Sequence, residues 1–315
     1  MKRFCCQLSL TAMKYLRSLR YYHILKNLLH NWFFYYLIPD SWEIRYHFKE
    51  KLGYSCHLRN PRSFNEKIQW IKLHDRNPLY PKLTDKVLVK GFVAEAIGSE
   101  YVIPTLAGGF SHFDDIPFDK LPNQFVLKCN HDSKCTILCT DKSTFDFQEA
   151  RPRIERLLRR NYYHYKGKQW GYKDIRPCVF VEKYMTDGTG MGLRDYKFLM
   201  FNGECKCVFY YDDRFSRSGM KQNCYDGDWN LLPFSWGGYP NTETIVAKPR
   251  CFEEMKSIAT KLAAMVNNAF VRIDLYEVGG NIYFGEFTFY PGSGFDKIEP
   301  VEWDFLLGSW IDLKR

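Results

Sequence analysis

Residues 270–294 read FVRIDLYEVGGNIYFGEFTFYPGSG. Two runs rich in Val, Ile, Tyr and Phe flank Gly279, Gly280 and Asn281, the composition of two strands joined by a short glycine-containing turn. With those three residues as the loop, Val278 pairs with Ile282, and counting back sets Asp274 opposite Glu286 and Arg272 opposite Thr288. Side chains alternate along a strand, so Val271, Ile273 and Leu275 are expected on one face with Tyr283, Phe287 and Phe289. Arg272, Asp274, Glu286 and Thr288 then share the other. Directly opposed carboxylates repel by a few tenths to ~1 kcal/mol. A solvated face on which Arg272 softens the repulsion is one answer to that cost. A divalent cation is the other, because Mg²⁺ is typically held by one or two carboxylates together with phosphate oxygens and water. The following Pro291-Gly292-Ser293-Gly294 is a stretch where glycine lets backbone come close to a ligand.

The chain has 315 residues, 45% hydrophobic and 17% aromatic, enough for a large core or two to three lobes. The composition excludes a disordered chain. The longest apolar run, WFFYYLI at 32–38, is far short of the ~18–20 residues of a spanning helix. MKRFCCQLSLTAM lacks the apolar core and cleavage site of a secretory signal. Eleven cysteines, an odd and scattered set without a CxxC pair, match neither a disulfide framework nor a zinc site, and fit a reducing cytosol. Eight histidines show no HExxH grouping.

Charge is uneven. Residues 1–39 hold Lys2, Arg3, Lys14, Arg17, Arg20 and Lys26 and no acid, six of the net nine positive charges. Ile24, Leu25, Leu28, Leu29 and Trp32 fall on one helical stripe away from Lys26, Asn27 and His30. Such a segment either docks on the body of the protein with its cations in water or rests on an anionic membrane surface. No recognised nucleic-acid fold accompanies the basic residues, so a nucleic-acid partner is not expected.

Further along, WEIRYHFKEKLG reads as a helix ending at Gly53, and Ser63 with Glu66 forms a capping-box pattern ahead of NEKIQWIKLH. A helix is expected from Asp85 to about Ile97. YVIPTLAGGF begins as a short strand, and QFVLK (124–128) and TILCT (136–140) are strands able to pair. Residues 146–160 alternate helically, PCVFVEKYM (177–185) is an apolar strand with one Glu, and a glycine-containing loop runs on through Gly192. DYKFLMFNGECKCVFYY is a hairpin around Asn202-Gly203, and FEEMKSIATKLAAMV is a helix. Helices first, then strand pairs with helices between them, argue an α+β fold with antiparallel sheets.

Two single residues suit nucleotide chemistry, each beside a plainer use. Lys128 ends a strand ahead of Cys129-Asn130-His131-Asp132-Ser133-Lys134, where a lysine either reaches a phosphate or snorkels into solvent. Glu182, alone in an apolar strand, wants a donor, which an adenine amino group or a nearby Lys or Arg can supply.

Taken in order, the lysine of LTDK, FVLK, the polar loop, VEKYM, DYKF, and RID with GEFTFYPGSG resemble the ATP-grasp superfamily across residues 85–294. SFNEKIQWIKLHDRNPLY, LPNQFVLKCNH, DYKFLMFNGE, YDGDWN and GEFTFYPGSGF are similar to the TupA-like ATP-grasp family of bacterial surface-polysaccharide gene clusters, from about residue 40 to the end. The resemblance implies two antiparallel-sheet lobes clasping ATP. Residues 1–60 are then a basic helical segment and 61–315 the ATP-grasp domain, with a nucleotide lobe near 121–185 and a metal and substrate lobe near 186–315.

Carried over by position, Lys86 and Lys128 would contact the ATP phosphates, and Glu182 with the Lys183, Tyr184 and Met185 backbone would hold adenine. Asp195 would meet the ribose. His131, Ser133 and Lys197 join the nucleotide-binding candidates. Asp274, Glu286 and Thr288 would ligate Mg²⁺, Arg272 would stabilise the acyl phosphate and tetrahedral intermediate, and Gly292 and Ser293 would close on the reacting carboxyl group. Thr288 stands where Asn is common, and the loop Asn130–Lys134 carries Asp132 where relatives have glycine.

The implied activity is an ADP-forming carboxylate–amine ligase using ATP and Mg²⁺. Its partners would be a glycan or sugar-linked carboxylate and an amine such as an amino acid. It is expected in the cytoplasm, with peripheral contact at the inner face of the plasma membrane through the basic segment. An ATP-grasp kinase, a glycosyltransferase-like enzyme and a nucleotide-binding assembly protein without turnover are the alternatives. For a glycosyltransferase the near matches to a metal motif, Asp212-Asp213 and Asp226-Gly-Asp228, have a weak loop context. Asp213-Arg214 and Asp226–Asn230 are candidates for the acceptor pocket.

Overall fold

A computed structural model describes residues 39–133, 135–165, 167–186, 193–212, 219–242 and 245–313. The basic segment before residue 39, Lys134, the loop glycines 188, 190 and 192, and Asp213-Arg214 lie outside the described residues. The chain divides into two units, Met1–Tyr46 and His47–Arg315. In the first, the described residues enter the helix Asp40–Leu52, whose end at Gly53 (φ 83°) is where the sequence places it.

The second unit carries the site. Its helix Phe64–His74 starts as its capping box dictates: the Glu66 N–H donates to Ser63 Oγ, and the Ser63 N–H donates to the Glu66 carboxylate, both at 3.2 Å. The helix expected from Asp85 is shorter. A separate helix, Tyr80–Thr84, precedes it, and Asp85 accepts from the N–H groups of Val87 and Leu88, so regular turns begin only at Leu88 and run to Ile97.

A four-stranded antiparallel sheet follows, of β1 (Thr105–Phe110), β2 (Phe125–Cys129), β3 (Thr136–Cys139) and β4 (Val179–Lys183), in the order β1-β4-β2-β3. YVIPTLAGGF therefore ends as a strand, with Pro104 before it, although its start reads as one. The helix Phe147–Leu158 covers this sheet with Ala150, Ile154 and Leu157 against Phe125, Leu127 and Val181.

The larger sheet runs β10-β9-β5-β6-β7, with β5 (Asp195–Phe201), β6 (Glu204–Asp212), β7 (Lys221–Asp226), β9 (Phe270–Val278) and β10 (Asn281–Thr288). β8 (Ser235–Trp236) pairs separately with β11 (Ile298–Glu299). Asn202 and Gly203 turn between β5 and β6 with φ of 48° and 85°, the left-handed pair that such a two-residue hairpin requires. The helix Phe252–Val266 packs on one face, where the Phe198 and Phe252 rings stack at 5.9 Å. Lys197 and Asp274, register partners, share the opposite face.

The β9–β10 hairpin departs from expectation twice, and the departures cancel. Its loop is Gly279-Gly280 alone, with Asn281 opposite Val278, one residue shorter than expected. A bulge between Phe284 and Glu286 then restores the count, so Asp274 lies opposite Glu286 and Arg272 opposite Thr288. The bulge also reassigns one aromatic. Phe284, buried opposite Leu275, joins the apolar face, whereas Tyr283 pairs with Tyr276 on the other.

Candidate nucleotide and acid–base site

Two clusters of opposite charges line one cleft, with Lys86, Lys90, Lys128, Glu182, Asp274 and Glu286 among its walls. The first stands on the hairpin. Arg272 donates through Nε to Asp274 Oδ1 at 2.7 Å and through Nη2 to Oδ2 at 2.8 Å, a two-pronged contact between neighbours on one face of β9. The same Nη2 reaches Thr288 Oγ1 at 2.9 Å and Glu286 Oε1 at 3.4 Å, and the Thr288 hydroxyl donates to Glu286 Oε1 at 3.2 Å. Lys197 Nζ bridges Asp195 and Asp274, 2.6 Å from each, and Lys86 Nζ meets Glu286 Oε2 at 3.1 Å.

Three carboxylates thus interleave with three cations. Burial pushes the Glu286 carboxyl up, but Lys86, Arg272 and Lys197 outweigh it and hold it well below the usual carboxylate range. Burial would lower the Lys86 pKa, and Glu286, helped by Tyr162 and Asp132, reverses the sign and raises it. Thr288 is occupied within this network as acceptor and donor.

The second cluster surrounds Glu182. Lys128 Nζ lies 2.5 Å from Oε2 and Lys90 Nζ 2.6 Å from Oε1. The donors Glu182 needs are therefore lysines in this structure, and Lys90 is one that sequence reasoning missed. It projects from the helix Leu88–Ile97 and also donates to the Ile103 carbonyl and Thr105 Oγ1, both at 2.8 Å. Val102, which bridges to Phe284 in parallel, ties this edge to the hairpin. Of the expected adenine-binding backbone, the Lys183 N–H already donates to the Pro104 carbonyl at 2.9 Å. Tyr184 and Met185 follow it, half-buried.

The loop after β2 is anchored from beneath. Asn130 Nδ2 donates to Asp85 Oδ2 and the Arg176 carbonyl, while its Oδ1 accepts from the Cys178 N–H. His131 is buried and its Nε2–H donates to the Leu157 carbonyl at 3.1 Å; burial lowers its pKa, and the ring serves the loop rather than the cleft. Asp132 is buried near Lys86, whose ammonium offsets its charge. Ser133 reaches the cleft wall and bonds the Tyr162 hydroxyl.

Gly292 and Ser293 both hold left-handed backbone, φ 54° and 59°. For serine that conformation is uncommon and needs support. Lys72 and Gln69, three residues apart on the helix Phe64–His74, supply it. Lys72 Nζ donates to the Ser293 carbonyl at 2.9 Å, to Ser293 Oγ at 3.2 Å and to the Gly167 carbonyl at 2.7 Å, and Gln69 Nε2 donates to the carbonyls of Ser293 and Gly294. Neither was singled out from sequence, although i,i+3 spacing beside Ile68 puts both on the buried face. Asp226–Asn230 forms a side-chain-capped turn whose Gly227 carbonyl accepts from Lys256 of the helix Phe252–Val266, and its residues are not among those lining this cleft.

The sequence model of the TupA-like ATP-grasp family matches residues 66–312. The chain belongs to the TupA-like ATP-grasp family. That match contains both charged clusters, the anchored loop and the left-handed turn, and the α+β arrangement of antiparallel sheets is that of an ATP-grasp fold.

Among solved structures, this TupA-like chain is similar to D-alanine–D-alanine ligase from Bacillus anthracis complexed with ATP, at 15% identity and a TM-score of 0.39, covering 67% of this chain and 55% of that one. It is similar to an L-amino acid ligase from Bacillus licheniformis at 12% identity and a TM-score of 0.41, over 68% and 44%. The ATP-grasp ligase PsnB, complexed with a phosphomimetic precursor variant, Mg and ADP, matches at 12% and 0.39, over 67% and 52%. The chain spans about half the length of these proteins. No curated protein matches it. Among the described residues no helix is long and apolar enough to cross a membrane.

Proposed function

We propose that this protein is an ATP- and Mg²⁺-dependent ligase that joins a carboxylate to an amine through an acyl phosphate. The observation that carries the reading is the face shared by Arg272, Asp274, Glu286, Lys86 and Lys197, where each carboxylate is held by cations that could turn to phosphate oxygens. Asp274 and Glu286, directly opposed on adjacent strands, fit the one or two carboxylates that Mg²⁺ takes, with Thr288 Oγ1 a neutral oxygen beside them. Bound there, the ion would supply charge neutralisation on the phosphates.

The chain's own groups then do the positioning. Lys86, Lys128 and Lys90 present ammonium charges to the phosphates, Ser133 offers a hydroxyl, and Glu182 with the backbone at Tyr184 and Met185 faces the adenine end. A carboxylate oxygen attacks the γ-phosphorus and ADP leaves; the amine nitrogen then attacks the acyl carbon, and phosphate leaves as the amide forms. Arg272 faces the developing oxyanion, and the Gly292-Ser293 turn closes on the reacting carboxyl group.

The acceptor is a surface-glycan precursor bearing a carboxyl group, such as a uronic acid, and the amine an amino acid. The resemblance of NEKIQWIKLHDRNPLY and GEFTFYPGSGF to proteins of polysaccharide gene clusters supports this. The reaction takes place in the cytoplasm, with the basic first 39 residues holding the enzyme at the inner membrane face.

The test is calorimetric binding of a non-hydrolysable ATP analogue with and without Mg²⁺, in the native protein and Glu286→Gln. Mg²⁺ strengthening binding in the first and not the second supports the reading; binding indifferent to both overturns it. A second reading, nucleotide binding without turnover, is favoured by the anchoring of Asn130 and His131, which leaves the loop little freedom to close. ATP binding with no ADP release alongside any carboxylate and amine would support it.

A further inference from the structure

Cys129 closes β2 and Cys135 immediately precedes β3. Lys128 is the register partner of Thr136, so the next pair outward sets Cys129 against Cys135 across the mouth of the loop. Directly opposed residues of antiparallel strands have Cα atoms about 4.5–5.5 Å apart, inside the span a disulfide bridges. Both cysteines are free thiols, both are buried, and their sulfurs stand 2.8 Å apart. A disulfide bond is roughly 2.05 Å long, so closing one asks for under about 1 Å of movement.

We propose that Cys129 and Cys135 form a reversible dithiol site that closes to an intramolecular disulfide by exchange with a low-molecular-weight disulfide such as oxidised glutathione. One cysteine, as thiolate, attacks a sulfur of the external disulfide and expels one glutathione thiolate, leaving a mixed disulfide. The other cysteine thiolate attacks the protein sulfur of that bond and expels the second. Two protein thiols become one S–S bond, the external S–S bond is reduced to two thiols, and the two protons from the protein go to the departing thiolates. The hydrogen bond from Cys135, together with burial, pushes the Cys129 thiol well above its ordinary range, so exchange through Cys129 is slow and accelerates with rising pH.

Closure makes residues 129–135 a covalent ring around Asn130, His131, Asp132 and Ser133. The loop is already held by Asp85, the Arg176 and Leu157 carbonyls and Tyr162, and joining its ends removes the remaining freedom to follow a ligand. Ser133 lines the cleft, so the effect on ligand binding rests on the nucleotide reading above. The chemistry at the two sulfurs does not.

The experiment exposes the full chain to oxidised glutathione at mildly alkaline pH, traps remaining thiols by alkylation and digests with trypsin. Cleavage after Lys128 and Lys134 gives CNHDSK and CTILCTDK, which only a disulfide between the two peptides holds together. The expected product is that linked pair, two hydrogens lighter than the separate peptides, fragmenting to a Cys129–Cys135 bond. It persists in Cys139→Ser and Cys178→Ser, is lost in Cys129→Ser and Cys135→Ser, and reverses with dithiothreitol. Glutathione adducts without a linked pair, or a pair joined through Cys139, would overturn the site. Where the reduced protein binds the ATP analogue, the oxidised form is expected to bind about threefold or more weakly. An unchanged affinity overturns the effect on the cleft, and a reduced protein that binds no analogue counts against the nucleotide reading while the peptide result still judges the dithiol.

Discussion

Gly285 stands against Tyr276 with no room for a side chain: a Cβ there would lie 2.8 Å from the Tyr276 ring and 3.0 Å from the Asp274 carbonyl. The bulge that returns Glu286 to its place opposite Asp274 sits on this contact. Gly285→Ala is therefore expected to destabilise the protein by about 1–3 kcal/mol, the range for overpacking a well-filled site, and to weaken nucleotide binding as Glu286 shifts. Chemical denaturation with analogue binding on the same variant checks both; a native-like midpoint would mean that the ring yields.

The same hairpin shows what could be read from residues alone. The pairing of Asp274 with Glu286 was legible because Ile273 and Phe287 must stay inside, and a one-residue slip would turn every side chain over. The loop length was not, since Gly279-Gly280-Asn281 serves a two- or a three-residue turn equally well, and nothing local marks Gly285 as a bulge. Lys90 was illegible for a different reason. On a helix of mostly apolar residues it reads as a surface charge, and only the placement of β4 beside that helix gives it Glu182. The reverse holds for His131, whose place in a polar loop suggested a ligand while its partner, the Leu157 carbonyl, comes from a helix 26 residues away.

Glu182→Gln would leave Lys90 and Lys128 facing each other without the carboxylate that joins them. A loss of about 1–3 kcal/mol at neutral pH is expected, as for a partly buried charged contact deprived of one member. The pH dependence follows from the sign of the shift. Burial raises the Glu182 pKa, but Lys128 and Lys90 outweigh it and the net pKa is lowered. Its contribution is fully present above the unfolded value of about 4.3 and is lost as pH falls from there toward the folded value. The stability gap between native protein and variant should accordingly narrow below about pH 4 in urea titrations. A gap that widened on acidification would contradict the assignment.

Lys72→Met removes the ammonium that holds the carbonyls of Gly167 and Ser293 and the Ser293 hydroxyl. Methionine keeps most of the volume but donates nothing, so about 1–3 kcal/mol should be lost through unsatisfied buried acceptors. The left-handed Ser293 then loses the ammonium from its carbonyl and hydroxyl, while Gln69 still donates to that carbonyl. Hydrogen exchange should become faster at residues 291–294, while β5 and β6, the interior of the large sheet, remain protected. Uniform acceleration would point to a general loss of stability instead.

Arg272→Lys keeps the charge and so isolates geometry. The guanidinium meets both oxygens of the buried Asp274 while extending one nitrogen to Thr288 and Glu286. A lysine ammonium is a single point and cannot reproduce a fork. About 1.5–3 kcal/mol should be lost, the range for hydrogen bonds to a charged group. Thr288→Val removes only one acceptor of that fork and a donor to Glu286, so its cost should be smaller. The two effects should also fail to add in the double variant, because both act on the same nitrogen and the same carboxylate. Denaturation midpoints of the two single variants and the double one provide the measurement, and strictly additive losses would mean that Arg272 and Thr288 do not share the contact.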